Sequence, residues 1–243
     1  MTKKLNLFLL VLLIPLFSAC SLNNKTVAPV EEKNIISVDS EGNTQFDANN
    51  LQAAIDVLPM DALTQAEEDG LLFMIEEEKL AKDVYSALYV KWQQQSFDNI
   101  SQSEATHVSA VQVLLEKYKV SLPADLSKAG VFVNTDLQKL YNDLIKKGNT
   151  SLISALQVGA AVEEIDILDL EKRIVQTDKE DIKLVYNNLM RGSRNHLRSF
   201  VRNMNNQGQT YIPQYLSQAV YDQIISSANE KGSNNQGSGR GKR

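Results

Sequence analysis

"FDNISQSEATHVSAVQVLLEKY", residues 97–118, decides how the whole chain is read. Phe97, Ile100, Glu104, His107, Val111, Leu114 and Tyr118 follow one another at steps alternating three and four. That is the apolar stripe of a bundle helix, and it runs through a glutamate and a histidine. A competing view starts the helix at Ser101, with "SQSE" as a capping box in which Glu104 reaches back to the N-cap. It strands Phe97 and Ile100 outside the stripe, so the longer helix, about Phe97 to Lys119 (helix B), is preferred.

The same phase test applies to three other segments. Helix A, about Thr64 to Gln94, gives Leu71, Met74, Glu78, Ala81, Tyr85, Leu88 and Trp92. This singles Glu78 out of the "EEE" run and leaves Glu76 and Glu77 on other faces, as solvated helix surface. Helix C, about Ser151 to Val175, gives Leu152, Leu156, Gly159, Glu163, Asp166 and Leu170, with Glu164 as the ligand if the helix is rotated by one residue. Helix D, about Lys179 to Asn205, gives Ile182, Val185, Leu189, Ser193, His196 and Phe200, and so places the second of only two histidines. A short helix near Thr135 to Lys147 lies in the long B-to-C connection and stops at Gly148, and a last short helix follows Ser217. The expected fold is all-α: a four-helix bundle with one long crossover and a short C-terminal helix.

Every long helix thus interrupts its apolar stripe with ligand-type side chains. Ionised carboxylates in a core cost roughly several kcal/mol each unless paired or neutralised. No lysine or arginine falls on these stripes. Two divalent cations would balance Glu78, Glu104, Glu163 and Asp166 charge for charge, with His107 and His196 as neutral donors. Gly159 and Ala160 near Glu163, and Ala81 near Glu78, are expected to leave room for the ions.

The termini read differently. Lys3 and Lys4 precede an apolar run from Leu5 to Phe17 and then "LFSAC". Residues 1–19 are therefore expected to be a secretory leader with a lipobox, and Cys20 the lipidated N-terminus of the mature chain. Ordinary cleavage after Ala19 is disfavoured because Phe17 is bulky where a small residue is preferred. With Cys20 the sole cysteine, no disulfide can form within the chain. Loss of Lys3 and Lys4 moves the formal charge from −5 to −7, and no basic cluster indicates nucleic acid. Residues 20–60 are weakly periodic and read as a lipid-anchored flexible linker, 61–228 as the folded domain, and 229–243 as a disordered tail. The expected location is outside the cytoplasm, anchored by lipid to the cell surface. In a cell with two membranes, Ser21 in place of the retention aspartate points to the periplasmic face of the outer one.

The motifs also carry a resemblance. "EEEKLAKDVY" fits the E-x-x-A-x-x-x-Y first-helix pattern of rubrerythrin-like proteins, with Glu78, Ala81 and Tyr85 in register; "EATH" fits their second-helix E-x-x-H. "AVEEID" is similar to the third-helix glutamate region and "HLRSF" to the fourth-helix H-x-x-x-F. The stretch from about Leu63 to Ile225, with "GVFVN", "VGAAVEEIDILDLE", "GSRNHLRSF" and "YIPQYLS", resembles the ferritin-like domain of unknown function 2202. The resemblance implies a ferritin-like bundle holding two iron ions, or manganese, between its helices. It departs at Ser193, where the wider superfamily has the glutamate of a second E-x-x-H. Asp166, one turn beyond Glu163, is placed to supply that carboxylate; otherwise the site is lopsided and binds one metal firmly. Tyr85 and Ser193 are expected to touch the ligands.

Three functions follow as expectations. The leading one is a tethered di-iron oxidoreductase acting on oxygen or peroxide, with a separate electron donor because no rubredoxin-type cysteine module is present. The second is a metal-binding or structural bundle without turnover, in which affinity order allows zinc. The third is a partner-docking scaffold. A homodimer is compatible with each.

Overall fold

The computed structural model describes residues 35–122 and 126–231. The expected leader, Cys20, most of the linker and the tail beyond Lys231 lie outside the described residues. The elements are β1 (Ile36–Val38), β2 (Thr44–Phe46), α1 (Ala48–Asp56), α2 (Gln65–Trp92), α3 (Gln95–Tyr118), α4 (Thr135–Gly148), α5 (Leu152–Ile174), α6 (Glu180–Asn206) and α7 (Gln218–Ser226). Helices α2, α3, α5 and α6 are the four long helices expected from the sequence, and the fold is an all-α helical bundle with a small hairpin laid on it.

Local chemistry sets the ends. Thr64 caps α2 in a reciprocal capping box with Glu67, and Gln93 ends it in the left-handed region at φ 52°. Only Gln93 and Gln94 separate α2 from α3, so the two run antiparallel. Helix α3 starts at Gln95, which leaves Ser101 inside the helix, its hydroxyl donating to Asp98 O (2.8 Å) rather than capping. Side-chain caps at Asn134, Ser151 and Ser217 start α4, α5 and α7. Helix α2 packs on α3 and α5 on α6, with α3 against α6 and α2 against α5 closing the bundle. The crossover from α3 to α5 carries α4.

Buried carboxylates tie the loops to the helices. Glu76, expected on a solvated face, is buried and accepts from the N–H groups of Val133 (2.6 Å) and Asn134 (3.1 Å). Asp83 accepts from Gly130 N–H (2.9 Å) and pairs with the buried Lys79 (2.5 Å). Glu164, the alternative ligand of helix C, points away from the bundle axis. It accepts from the N–H groups of Gln214 (2.9 Å), Tyr215 (2.6 Å) and Leu216 (2.8 Å) in the "YIPQYLS" loop. Asp181 accepts from Lys117 (2.5 Å) and Tyr118 (2.7 Å). Glu76 is therefore not a solvated residue of the acidic run; it satisfies backbone donors of the crossover.

The flexible linker expected through residue 60 does not extend that far. Residues 35–57 fold onto the bundle because Ile35, Ile36, Phe46, Leu51, Ala54 and Ile55 bury their side chains there. The hairpin pairs Ile36 with Phe46 and Val38 with Thr44. Asp39 organises its turn by accepting from Glu41 N (2.8 Å) and Asn43 N (3.0 Å), and Gly42 takes φ 89°. The expected tail also starts too early. Asn229 donates to Ser40 O (3.1 Å), and Glu230 pairs with Arg194 (2.5 Å) and Arg198 (2.8 Å).

Glu164→Ala should lose about 3 kcal/mol of unfolding free energy, because three loop N–H groups lose a charged acceptor. Urea denaturation measures it, and a loss below about 1 kcal/mol would contradict the loop-anchoring role.

Candidate metal centre

Each long helix delivers its polar residues at the same level of the bundle. Glu78 comes from α2; Glu104 and His107 from α3; Glu163 and Asp166 from α5; Ser193 and His196 from α6. The i, i+3 spacing puts each pair on one helix face. All six expected ligands are at most 6% exposed.

Glu104 lies at the centre. Its Oε2 is 2.8 Å from His107 Nδ1 and its Oε1 is 2.8 Å from His196 Nδ1. Glu78 Oε2 stands 3.2 Å from His107 Nδ1, and Glu163 Oε2 stands 3.6 Å from His196 Nδ1. Two donor sets result, Glu78–Glu104–His107 and Glu104–Glu163–His196, each with its ligand atoms within 4.8 Å of one another. They share one carboxylate. The two imidazoles stack with centroids 5.4 Å apart and planes 19° from parallel.

The remaining expected residues sit around this pair. Tyr85 Oη donates to Glu163 Oε1 (2.6 Å), which fixes one oxygen of that carboxylate and leaves the other facing His196. Ser193 Oγ donates to Asp166 Oδ2. Asp166 belongs to neither donor set, yet its Oδ1 is buried without a hydrogen-bond partner. The space at Gly159 is not left for an ion: a Cβ there would lie 2.6 Å from the Phe200 ring. Phe200 packs with Tyr85 and Phe97 into an aromatic cluster.

Several of these ligand-type atoms lack a hydrogen-bond partner. Glu78 Oε1, Glu104 Oε1, Asp166 Oδ1 and His196 Nδ1 are all buried and unpartnered. His196 Nδ1 and Glu104 Oε1 approach to ion-pair distance without hydrogen-bond alignment. Buried unsatisfied groups of this kind cost about 1–3 kcal/mol each, and more if charged. A cation between them removes the cost. The donors, carboxylate oxygens and imidazole nitrogens, suit iron, manganese or zinc.

In the metal-free protein, protons do part of that work. Burial alone would lower His107, but Glu104, with Glu78 behind it, raises it to about 10. His196 is raised to about 9 in the same contest, by Glu104 and Glu163 against burial. Burial works upward on Glu104, yet the two imidazoles hold its carboxyl well below the ordinary range. Burial lifts Glu78 to about 7 and raises Glu163 and Asp166 as well. Glu77, expected on a solvated face, is also buried with both carboxylate oxygens unpartnered. Burial, then Asp169 and Glu78, push it well above its usual value.

Two contributors escaped the sequence reading. Thr44 of β2 puts its Oγ1 2.9 Å from His107 Nε2 and 3.1 Å from His196 Nε2. Gly192 makes room for that meeting: a Cβ there would lie 2.5 Å from His107 Cε1 and 3.1 Å from Thr44 Oγ1. The signal for Thr44 was the alternation of "ISV" and "TQF" about a turn containing Asp39 and Gly42, which reads as a hairpin.

Residues 67–228 match the family described as an uncharacterized protein domain (DUF2202). The chain is 53% identical over 180 residues to the uncharacterized protein MJ0754 of Methanocaldococcus jannaschii, a match that spans 74% of this chain and 97% of that protein. A crystal structure described as the hypothetical protein MJ0754 from Methanococcus jannaschii aligns with a TM-score of 0.70 at 53% identity, covering 71% of this chain and 99% of the other. The family match spans the helices that carry Glu78, Glu104, His107, Glu163 and His196, and this chain belongs to the uncharacterized DUF2202 family.

Proposed function

We propose that the protein is a ferritin-like metalloprotein, tethered to a membrane by a lipid on Cys20, that holds two divalent cations in its bundle core and uses them in redox chemistry with oxygen or peroxide. The observation that carries this reading is the pair of buried donor sets sharing Glu104. Glu78 with His107 would hold one ion and Glu163 with His196 the other, each imidazole binding through Nδ1. Asp166 is the remaining carboxylate, within the field of Glu78 and kept in place by Ser193. A bound iron or manganese pair supplies the electron transfer to the oxidant. The chain's own residues hold the ions, exclude bulk water and, through Tyr85, fix Glu163. A separate donor returns the electrons. Among the described residues no helix is long and apolar enough to cross a membrane, so attachment rests on the leader and Cys20.

A second reading, a non-catalytic zinc-binding bundle, draws on the closure of the site. Closed, fully protein-lined sites are typical of structural metals, and affinity order favours zinc over iron and manganese.

Elemental analysis of natively purified protein, followed by a ferrous-oxidation assay, separates the two. Iron or manganese near two per chain, with turnover on peroxide, is the expected result; zinc that stays bound through the assay favours the second reading. Protein that takes up no cation from any of these metals overturns both. Glu104→Gln should release both ions together, because it removes the shared ligand, whereas Glu78→Gln should weaken chiefly the ion at His107. Metal-to-protein ratios after dialysis distinguish these outcomes.

Acidity gives a further check. Both imidazoles sit above the unfolded value of about 6.5. Their stabilisation of the metal-free fold is therefore complete below that pH and is lost as pH rises through about 9 and about 10. Glu78, lifted to about 7, acts in the same direction, since the fold disfavours its ionisation. The metal-free protein should melt at falling temperature from pH 6.5 to 10, and the metal-loaded protein should change less. Scanning calorimetry measures both, and a metal-free Tm that climbs over this window would contradict the arrangement.

A further inference from the structure

We infer that Thr44 is a positioning residue shared by both halves of the metal centre, and that through it cation binding is coupled to docking of the β1–β2 hairpin. The inference rests on the metal-binding reading above and adds a residue outside the matched span 67–228.

A neutral imidazole has one N–H, and the nitrogen that carries it cannot bind a cation. Both rings turn Nδ1 toward the carboxylates and Nε2 toward Thr44, at 2.9 Å for His107 and 3.1 Å for His196. A hydroxyl oxygen has two acceptor lone pairs, enough for both Nε2–H groups. Filled in this way, Thr44 holds each ring in the tautomer that frees Nδ1. It serves both at once because the rings stack and Gly192 leaves the gap into which His107 and the threonine fit.

The hydroxyl has no freedom to drift. Thr44 is fully buried, and its own N–H donates to Ser103 Oγ (3.0 Å). Two residues on, Phe46 N–H donates to Thr106 Oγ1 (3.2 Å), and the Phe46 ring meets His107 edge-on at 5.6 Å. The far end of the hairpin is held by Arg202 on Glu41 O (2.7 Å) and by Asn229 on Ser40 O. If the docked hairpin strengthens cation binding, the bound cation must strengthen docking by the same factor.

The test uses the full chain and cobalt(II) as probe, with Thr44→Val, Thr44→Ser and wild type compared. Valine keeps the shape and removes the acceptor; serine restores it. Removing an outer hydrogen-bond partner of a ligating histidine typically weakens metal binding by about 10–100-fold. The expected result is a tenfold or greater loss for both ions in Thr44→Val, recovery in Thr44→Ser, and altered visible absorption of both cobalt ions. Hydrogen exchange of residues 36–46 should slow on cobalt addition in wild type and respond less in Thr44→Val. Equal cobalt affinity in valine and wild type overturns the inference, as does equal weakness in valine and serine. If Thr44→Val does not fold, the serine chain and the wild-type exchange response decide: hairpin exchange indifferent to cobalt overturns it. Wild type that binds no cobalt is a failure of the metal-binding reading itself and is recognised before any variant is made.

Discussion

One carboxylate between two imidazoles governs this fold. Glu104 is buried, central and in contact with His107 and His196. Neither the acid nor the rings can be desolvated alone without a large electrostatic penalty, so the helices that bring them must arrive together. Helix α3 carries the acid and one histidine a single turn apart. Helix α6 must then bring the other histidine to the same height, and α2 and α5 must supply the flanking carboxylates. The alignment of the four long helices is thus set by a polar requirement, with the apolar stripes above and below supplying most of the driving force.

A second class of buried acid works on the outside of the same helices. Glu76, Asp83, Glu164 and Asp181 face away from the centre and hold loop amides, a lysine or a tyrosine hydroxyl. Adjacent residues therefore have opposite duties: Glu163 faces the buried Glu/His cluster while Glu164 fastens the "YIPQYLS" loop. A one-residue rotation of α5 would break both at once, which makes the register of this helix doubly specified.

This division explains what was legible beforehand. The long helices follow from phase, since each stripe keeps its three–four alternation through residues such as Glu104 and Ser193. The inward residues were legible for the same reason. Glu76 and Glu164 were not, because their partners are backbone N–H groups more than 45 residues away, and a sequence does not display its amides. Thr44 was hidden by scale: three-residue strands between a polar stretch and a helix carry little periodicity, and threonine by itself signals no ligand chemistry. Gly159 was misjudged because a missing side chain shows that space exists without showing that Phe200 fills it.

Gly192 leaves a mark that other members of the family can display. The His107 ring occupies the volume where any larger residue at 192 would begin. Divergence at these two positions should be concerted: a lineage that gains a side chain at the glycine must either surrender the facing histidine or spread α3 from α6. The residue at this one position on α6 therefore decides whether the compact two-histidine core can be kept.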